Sequence, residues 1–220
     1  MQLSGAVIIA IYAAAYAALH SCLASSQVKR WMRAQLGPRT DCWYRIFFNA
    51  VGVLTLLPLG VLMLLLPDQT LYTIPGQWRY VASAAQLLTF LSMAYGLWIT
   101  DVWHFLGVRQ LFQDIPQGCS QRQPPLAVFG LYRWVRHPLY LLSILLIWLT
   151  PTMTINLASL YLILTLYLYV GTFFEETRLV EEFGDAYAQY QLQVPRLFPW
   201  RGPVNVHITA PPVPASGDEG

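Results

Sequence analysis

RWVRHPLYLLSILLIWLTPTMTINLASLYLILTLYLYVGTFFEETR, residues 133–178, changes chemistry four times. Arginines, a histidine and a proline open it. Two apolar runs follow, joined by a short uncharged turn, and two glutamates close the second. A membrane strand would be shorter and would alternate in polarity, so both runs read as helices. Ile155 to Phe174 has about the 20 residues that cross a hydrocarbon core. Leu139 to Leu149 is short for a crossing. Extended back through Tyr132 and on to Thr150 it is long enough, with Arg136 snorkelling to the interface. The turn at Thr150–Thr154 makes the pair an antiparallel hairpin. Arg136 and His137 are thereby expected at the same depth as Glu175 and Glu176.

Three more stretches fit the same reading: Leu3 to Leu23, Ile46 to Leu66 and Tyr80 to Ile99. Each is close to spanning length and carries no Asp, Glu, Lys or Arg. The 220 residues are 56% hydrophobic and 11% charged, against about 25% charged in a soluble domain. The expected fold is therefore an all-α integral membrane protein of five transmembrane helices, near 3–23, 46–66, 80–99, 132–150 and 155–174. A cleaved leader would carry its basic residues before the apolar stretch, and here they follow it. Twelve of the 13 Lys and Arg fall in alternate connections, with only Arg79 opposed. That bias places the N-terminus outside and the C-terminus in the cytoplasm, in a bacterial inner membrane.

Residues 1–202 form one membrane domain on this reading. After Phe174 no turn residue intervenes before Glu175, and Leu179, Phe183, Tyr187 and Tyr190 recur at helical spacing. An amphipathic cytoplasmic helix is expected near 175–193. The Pro-rich segment 203–220 is expected to be disordered. The three cysteines fall on the cytoplasmic side, which argues against a disulfide frame. No metal-ligand spacing appears. The net charge of +2 is explained by orientation, so no nucleic-acid partner is implied.

Ionisable groups collect at the inner mouth of the bundle. Pro138 suits the first turn of a helix, where its missing N–H has no intrahelical partner. The helix start then offers amides and a dipole to an anion, and Arg136 adds a fork matching carboxylate or phosphate. Simple interfacial anchoring explains Arg136 and His137 as well. Glu175 and Glu176 sit at the membrane edge, where acidic residues gain nothing as orientation signals. Together the four residues fit a zwitterionic ligand, or a plain structural ion pair. His20 and His104 are further ionisable groups near the same boundary.

YRWVRHPLY, followed about 35 residues later by FFEETRLVEEFGDAYAQYQLQVPRLFPW, resembles the membrane methyltransferase superfamily of isoprenylcysteine carboxyl and phospholipid methyltransferases. LHSCLASSQVK, YRIFFN, HFLGVRQLF and WLTPTMT are similar to the methanethiol S-methyltransferase branch, and in part to a denitrification-associated membrane family. The resemblance implies S-adenosylmethionine as cofactor. It implies contacts from Arg136 and His137, with Tyr140 and Tyr132 lining the pocket, and Glu175 and Glu176 accepting from ribose hydroxyls or the ammonium. Such proteins commonly have a glycine shortly after the motif tyrosine, whereas Leu141, Leu142 and Ser143 stand here.

The implied reaction carries methyl from a sulfonium to a small thiol such as methanethiol, giving dimethyl sulfide. The thiol must lose its proton, because thiolate is the nucleophile, and His20 and His104 are the candidate catalytic bases. An apolar thiol is expected to reach the site through the bilayer, among membrane lipids. A lipid amine or an isoprenylcysteine carboxylate is the rival acceptor, and a non-enzymatic denitrification-associated protein is the rival class.

Overall fold

A computed structural model describes residues 2–99, 103, 106–108 and 128–205. His104, Cys119 and residues 206–220 lie outside these, so the expectation of a disordered tail meets only residues 203–205. The described chain runs α1 (Gln2–Ala24), α2 (Ser26–Leu36), α3 (Thr40–Leu65), β1 (Thr70–Thr73), α4 (Trp78–Ile99), a 3-10 turn (Gly130–Arg133), α5 (Pro138–Trp148), β2 (Thr152–Thr154), α6 (Ile155–Phe183) and α7 (Asp185–Gln193).

Among the described residues, four helices are long and apolar enough to cross a membrane: Ser4–Ala24, Thr40–Leu65, Trp78–Trp98 and Ile155–Phe183. Their most apolar windows are only 6–17% buried inside the protein. That much unburied apolar surface has no place in water, and the chain is a helical integral membrane protein. The expected span at 132–150 differs. Its helix covers only Pro138–Trp148, 11 residues, or about 16 Å at 1.5 Å per residue. A proline disfavours the α conformation in the residue before it, so the helix cannot grow back through His137.

Two compact units emerge, Met1–Arg122 with Leu142–Tyr167, and Gln123–Leu141 with Leu168–Gly220. In the first, α1 packs on α3, and Tyr12 Oη donates to the Thr55 carbonyl at 2.7 Å. Ser25 caps α2 by accepting from Val28 N, and Gly37, with φ +84°, ends it. The helix displays Lys29, Arg30 and Arg33 and buries nothing. Apolar and basic residues in so short a helix suit the membrane surface.

The supposedly bare turn at Thr150–Thr154 contains a strand. β2 pairs antiparallel with β1, Thr73 opposite Thr152 and Thr70 opposite Thr154. This small sheet corrects the all-helical expectation. Threonine and tyrosine at these positions are its only sequence signal. Asn156, fully buried, fastens the corner: its backbone N donates to Asp68 Oδ1 and its Nδ2 to the Pro67 carbonyl. Cys42 also departs from expectation, since it is disulfide-bonded, while Cys22 is a free, exposed thiol.

In the second unit, α6 does not run on to residue 193. It stops at Phe183, and Gly184 turns the chain with φ +56° before α7 begins. That left-handed conformation is cheap only for glycine. The expected stripe survives the break: Tyr187, Tyr190 and Val194 form a buried cluster, with Leu179 and Phe183 packed against it. Burial pushes both phenols well above the usual tyrosine range, and the Glu176 charge adds to this at Tyr187. The chain then returns to the entry of α5. Arg136 N donates to the Pro195 carbonyl at 2.9 Å and His137 N to the Arg196 carbonyl at 3.1 Å. Val204 N donates to the Arg133 carbonyl, and Arg133 donates to the Val204 carbonyl and the Asn205 side chain in turn.

Candidate active site

The antiparallel course of α5 and α6 brings together the four charged residues at the hairpin's open end. Arg136 Nε donates to Glu176 Oε1 at 2.7 Å, and His137 Nε2 lies 3.1 Å from the same oxygen. The other oxygen, Oε2, accepts from Arg196 Nη2 at 2.8 Å, Arg196 Nε at 3.2 Å and Gln191 Nε2 at 3.0 Å. The Glu176 side chain is only 4% exposed and that of Arg136 only 8%. Arg136 is itself held by the Gln191 and Val194 carbonyls through Nη1. A buried carboxylate is tolerable when its lone pairs are filled by cationic donors, and Glu176 satisfies that condition fully.

Glu175, the next residue, is in a different state. His137 Nδ1 approaches its Oε2 at 3.5 Å, and Tyr140 and Tyr132 lie within electrostatic or hydrogen-bonding reach of the carboxylate. That Oε2 is buried and makes no hydrogen bond. His137 therefore stands between the two glutamates, one ring nitrogen toward each. Its ring meets Tyr140 edge-on, with centroids 5.4 Å apart. Tyr140 also finds room against Gly171 of α6, where an added Cβ would sit 3.5 Å from the tyrosine ring. The glycine missing after Tyr140 in the sequence has a counterpart on the facing helix.

Sequence reasoning assigned no role to Arg196 or Gln191. Arg196 belongs to the Val194-Pro195-Arg196 run noted in the motif, but nothing in the linear pattern says that it returns to Glu176. His20 belongs to the other unit. There its Nδ1 lies 2.7 Å from Tyr167 Oη, with Phe48 packed at 4.5 Å between ring centroids and Gly52 against the imidazole edge. Tyr167 was not singled out either. His104 is outside the described residues.

Curated relatives align with most of this chain. Methanethiol S-methyltransferase 2 of Bradyrhizobium diazoefficiens is 32% identical over 195 residues, covering 84% of this chain and 69% of the relative. The chain belongs to the methanethiol S-methyltransferase family. Methanethiol S-methyltransferase 1 of the same organism is 29% identical over 194 residues, and the Mycobacterium tuberculosis methanethiol S-methyltransferase 28% over 195. The chain spans 65% of the former's length and 74% of the latter's. No protein-family model matches it, and neither does any solved structure. Methyl transfer is the chemistry for which the methanethiol S-methyltransferase family is named. At this corner Glu175 is the glutamate with an oxygen that makes no hydrogen bond.

Proposed function

We propose that the protein moves a methyl group from S-adenosylmethionine to a small thiol, with methanethiol the acceptor and dimethyl sulfide the product. The observation that carries the reading is Glu175 Oε2, buried with no hydrogen bond beside His137. A buried acceptor left unmade costs about 1–3 kcal/mol, more if charged. A ribose hydroxyl or an ammonium would relieve that cost, and S-adenosylmethionine has both. The family membership of the chain supports the same cofactor.

Tyr132, Arg136, His137, Tyr140, Glu175 and Glu176 surround the cofactor in this reading, with distinct tasks. Glu175 accepts from it, while Tyr140 and Tyr132 wall the pocket. Glu176 holds Arg136 and His137 in place and has little capacity left for a ligand. When bound, the cofactor supplies an electrophilic methyl on sulfur, whose C–S bond breaks as the thiolate forms its own. The protein's share is to position the two partners and exclude water. It must also take the thiol proton, and His20 and His104 are the proposed acceptors.

The proposed topology has four spanning helices and a short fifth crossing made by α5 with its flanking residues, the N-terminus outside and the site facing the cytoplasm of an inner membrane. The one-sided distribution of Lys and Arg supports it. An apolar thiol would enter from the bilayer. The test uses detergent-purified protein with methyl-labelled S-adenosylmethionine and methanethiol. Labelled dimethyl sulfide is expected, and no turnover with any small thiol would reject the substrate class.

A further inference from the structure

We propose that a cavity beside Arg196 binds the phosphate headgroup of an anionic membrane phospholipid. The cavity has a volume of about 410 Å³ and is lined by Arg136, Arg196 and Arg201 together with Tyr169, Phe198 and Trp200. Among the described residues no Asp or Glu lines it. Glu176 lies behind Arg136 and Arg196 and offsets one of the three positive charges. The remainder is a cationic surplus facing an open cavity, which suits a phosphate.

The guanidinium of Arg196 is held in advance. Its Nε and Nη2 face Glu176, and its carbon stacks 3.8 Å over the Phe173 ring. Its third nitrogen, Nη1, has no partner among the described residues. A fork fixed this way loses little freedom on binding an anion.

The cavity lies on a different side of α6 from Glu175. Tyr169 and Phe173 are one turn apart on one face, and Gly171 and Glu175 are one turn apart on another. Two residues along a helix are about 200° around its axis. Glu175 consequently faces away from this cavity, while Arg136 borders both it and the Glu175 corner. Tyr169, Val170 and Phe173 are all exposed large apolar residues on a helix that is long and apolar enough to span a membrane. Leu192, Phe198 and Trp200 are exposed as well. Arginines interleaved with exposed Trp, Tyr and Phe at the end of such a helix match the headgroup layer, where chains of lipid cover the rings and phosphates meet the cations. A soluble anion would have no use for the apolar half.

The full-length protein is placed in nanodiscs of equal phosphatidylcholine and phosphatidylglycerol, and the lipids it retains are counted by native mass spectrometry. Wild type is expected to retain phosphatidylglycerol preferentially. R201E and R201Q, which leave the Glu176 cluster intact, are expected to weaken that retention roughly fivefold or more, with unfolding temperature unchanged. Equal retention of both lipids overturns the proposal. So does undiminished preference in both well-folded variants. Displacement of the lipid by millimolar glycerol phosphate would make the cavity a soluble-anion site, and displacement by S-adenosylhomocysteine would make it part of the cofactor pocket. Either also overturns it.

Discussion

Arg136 and Glu176, 40 residues apart in sequence, meet at 2.7 Å with both side chains buried. Between them they tie the entry of α5, the C-terminal part of α6 and the segment after α7 into one knot. The bond is one of five that converge on a single carboxylate, so its loss strands several charges at once.

Glu176→Ala and Arg136→Ala should each destabilise the protein by about 3–5 kcal/mol, the cost of leaving a buried charge without its partner. Thermal unfolding in detergent checks this. A loss below 1 kcal/mol would mean that water reaches the cluster and screens it.

Glu175→Gln should behave in the opposite way. The fold should remain, because Gln keeps the shape of Glu175, whose Oε2 makes no hydrogen bond and meets His137 only at 3.5 Å. Affinity for S-adenosylhomocysteine should fall by about tenfold or more, since a hydrogen bond to a charged group contributes about 1.5–3 kcal/mol. Calorimetric titration of wild type, Glu175→Gln and Glu176→Gln separates the binding role of one glutamate from the fastening role of the other.

His20 and Tyr167 offer a kinetic test. If His20 takes the thiol proton, His20→Gln should lower turnover by about 10²-fold or more. Tyr167→Phe, which removes the partner at 2.7 Å, should lower it less. Both variants should bind S-adenosylhomocysteine as wild type does. Undiminished turnover in His20→Gln would assign the proton to another base.

Asn156→Ala should cost about 1–3 kcal/mol by leaving the Pro67 carbonyl without its donor. The effect should appear in thermal unfolding and leave cofactor affinity unchanged, because Asn156 serves the β1–β2 corner.

The convergence of Arg136 and His137 on Glu175 and Glu176 was legible because a five-residue turn fixes how two helices align. Long-range partners were not. Gln191 reaches Glu176 from within a second helix and Arg196 from beyond it, and the direction of that return depends on Gly184, whose left-handed turn looks in sequence like any other glycine. The pairing of Thr70–Thr73 with Thr152–Thr154 was hidden for a related reason. Strands of three or four residues carry too few alternations to stand out beside helices of more than twenty. The shortness of α5 was half visible: Pro138 marked its start, but length alone favoured extending the run to cross the bilayer.

The dependence of Glu176 on Arg196 has a consequence for biosynthesis. Arg196 is synthesised only after the four membrane-length helices among the described residues. Until then Glu176 has Arg136 and His137 but not its bidentate clasp, and the entry of α5 lacks the Pro195 and Arg196 carbonyls that receive its amides. The corner around Glu176 is thus completed only once the chain beyond α7 has been made.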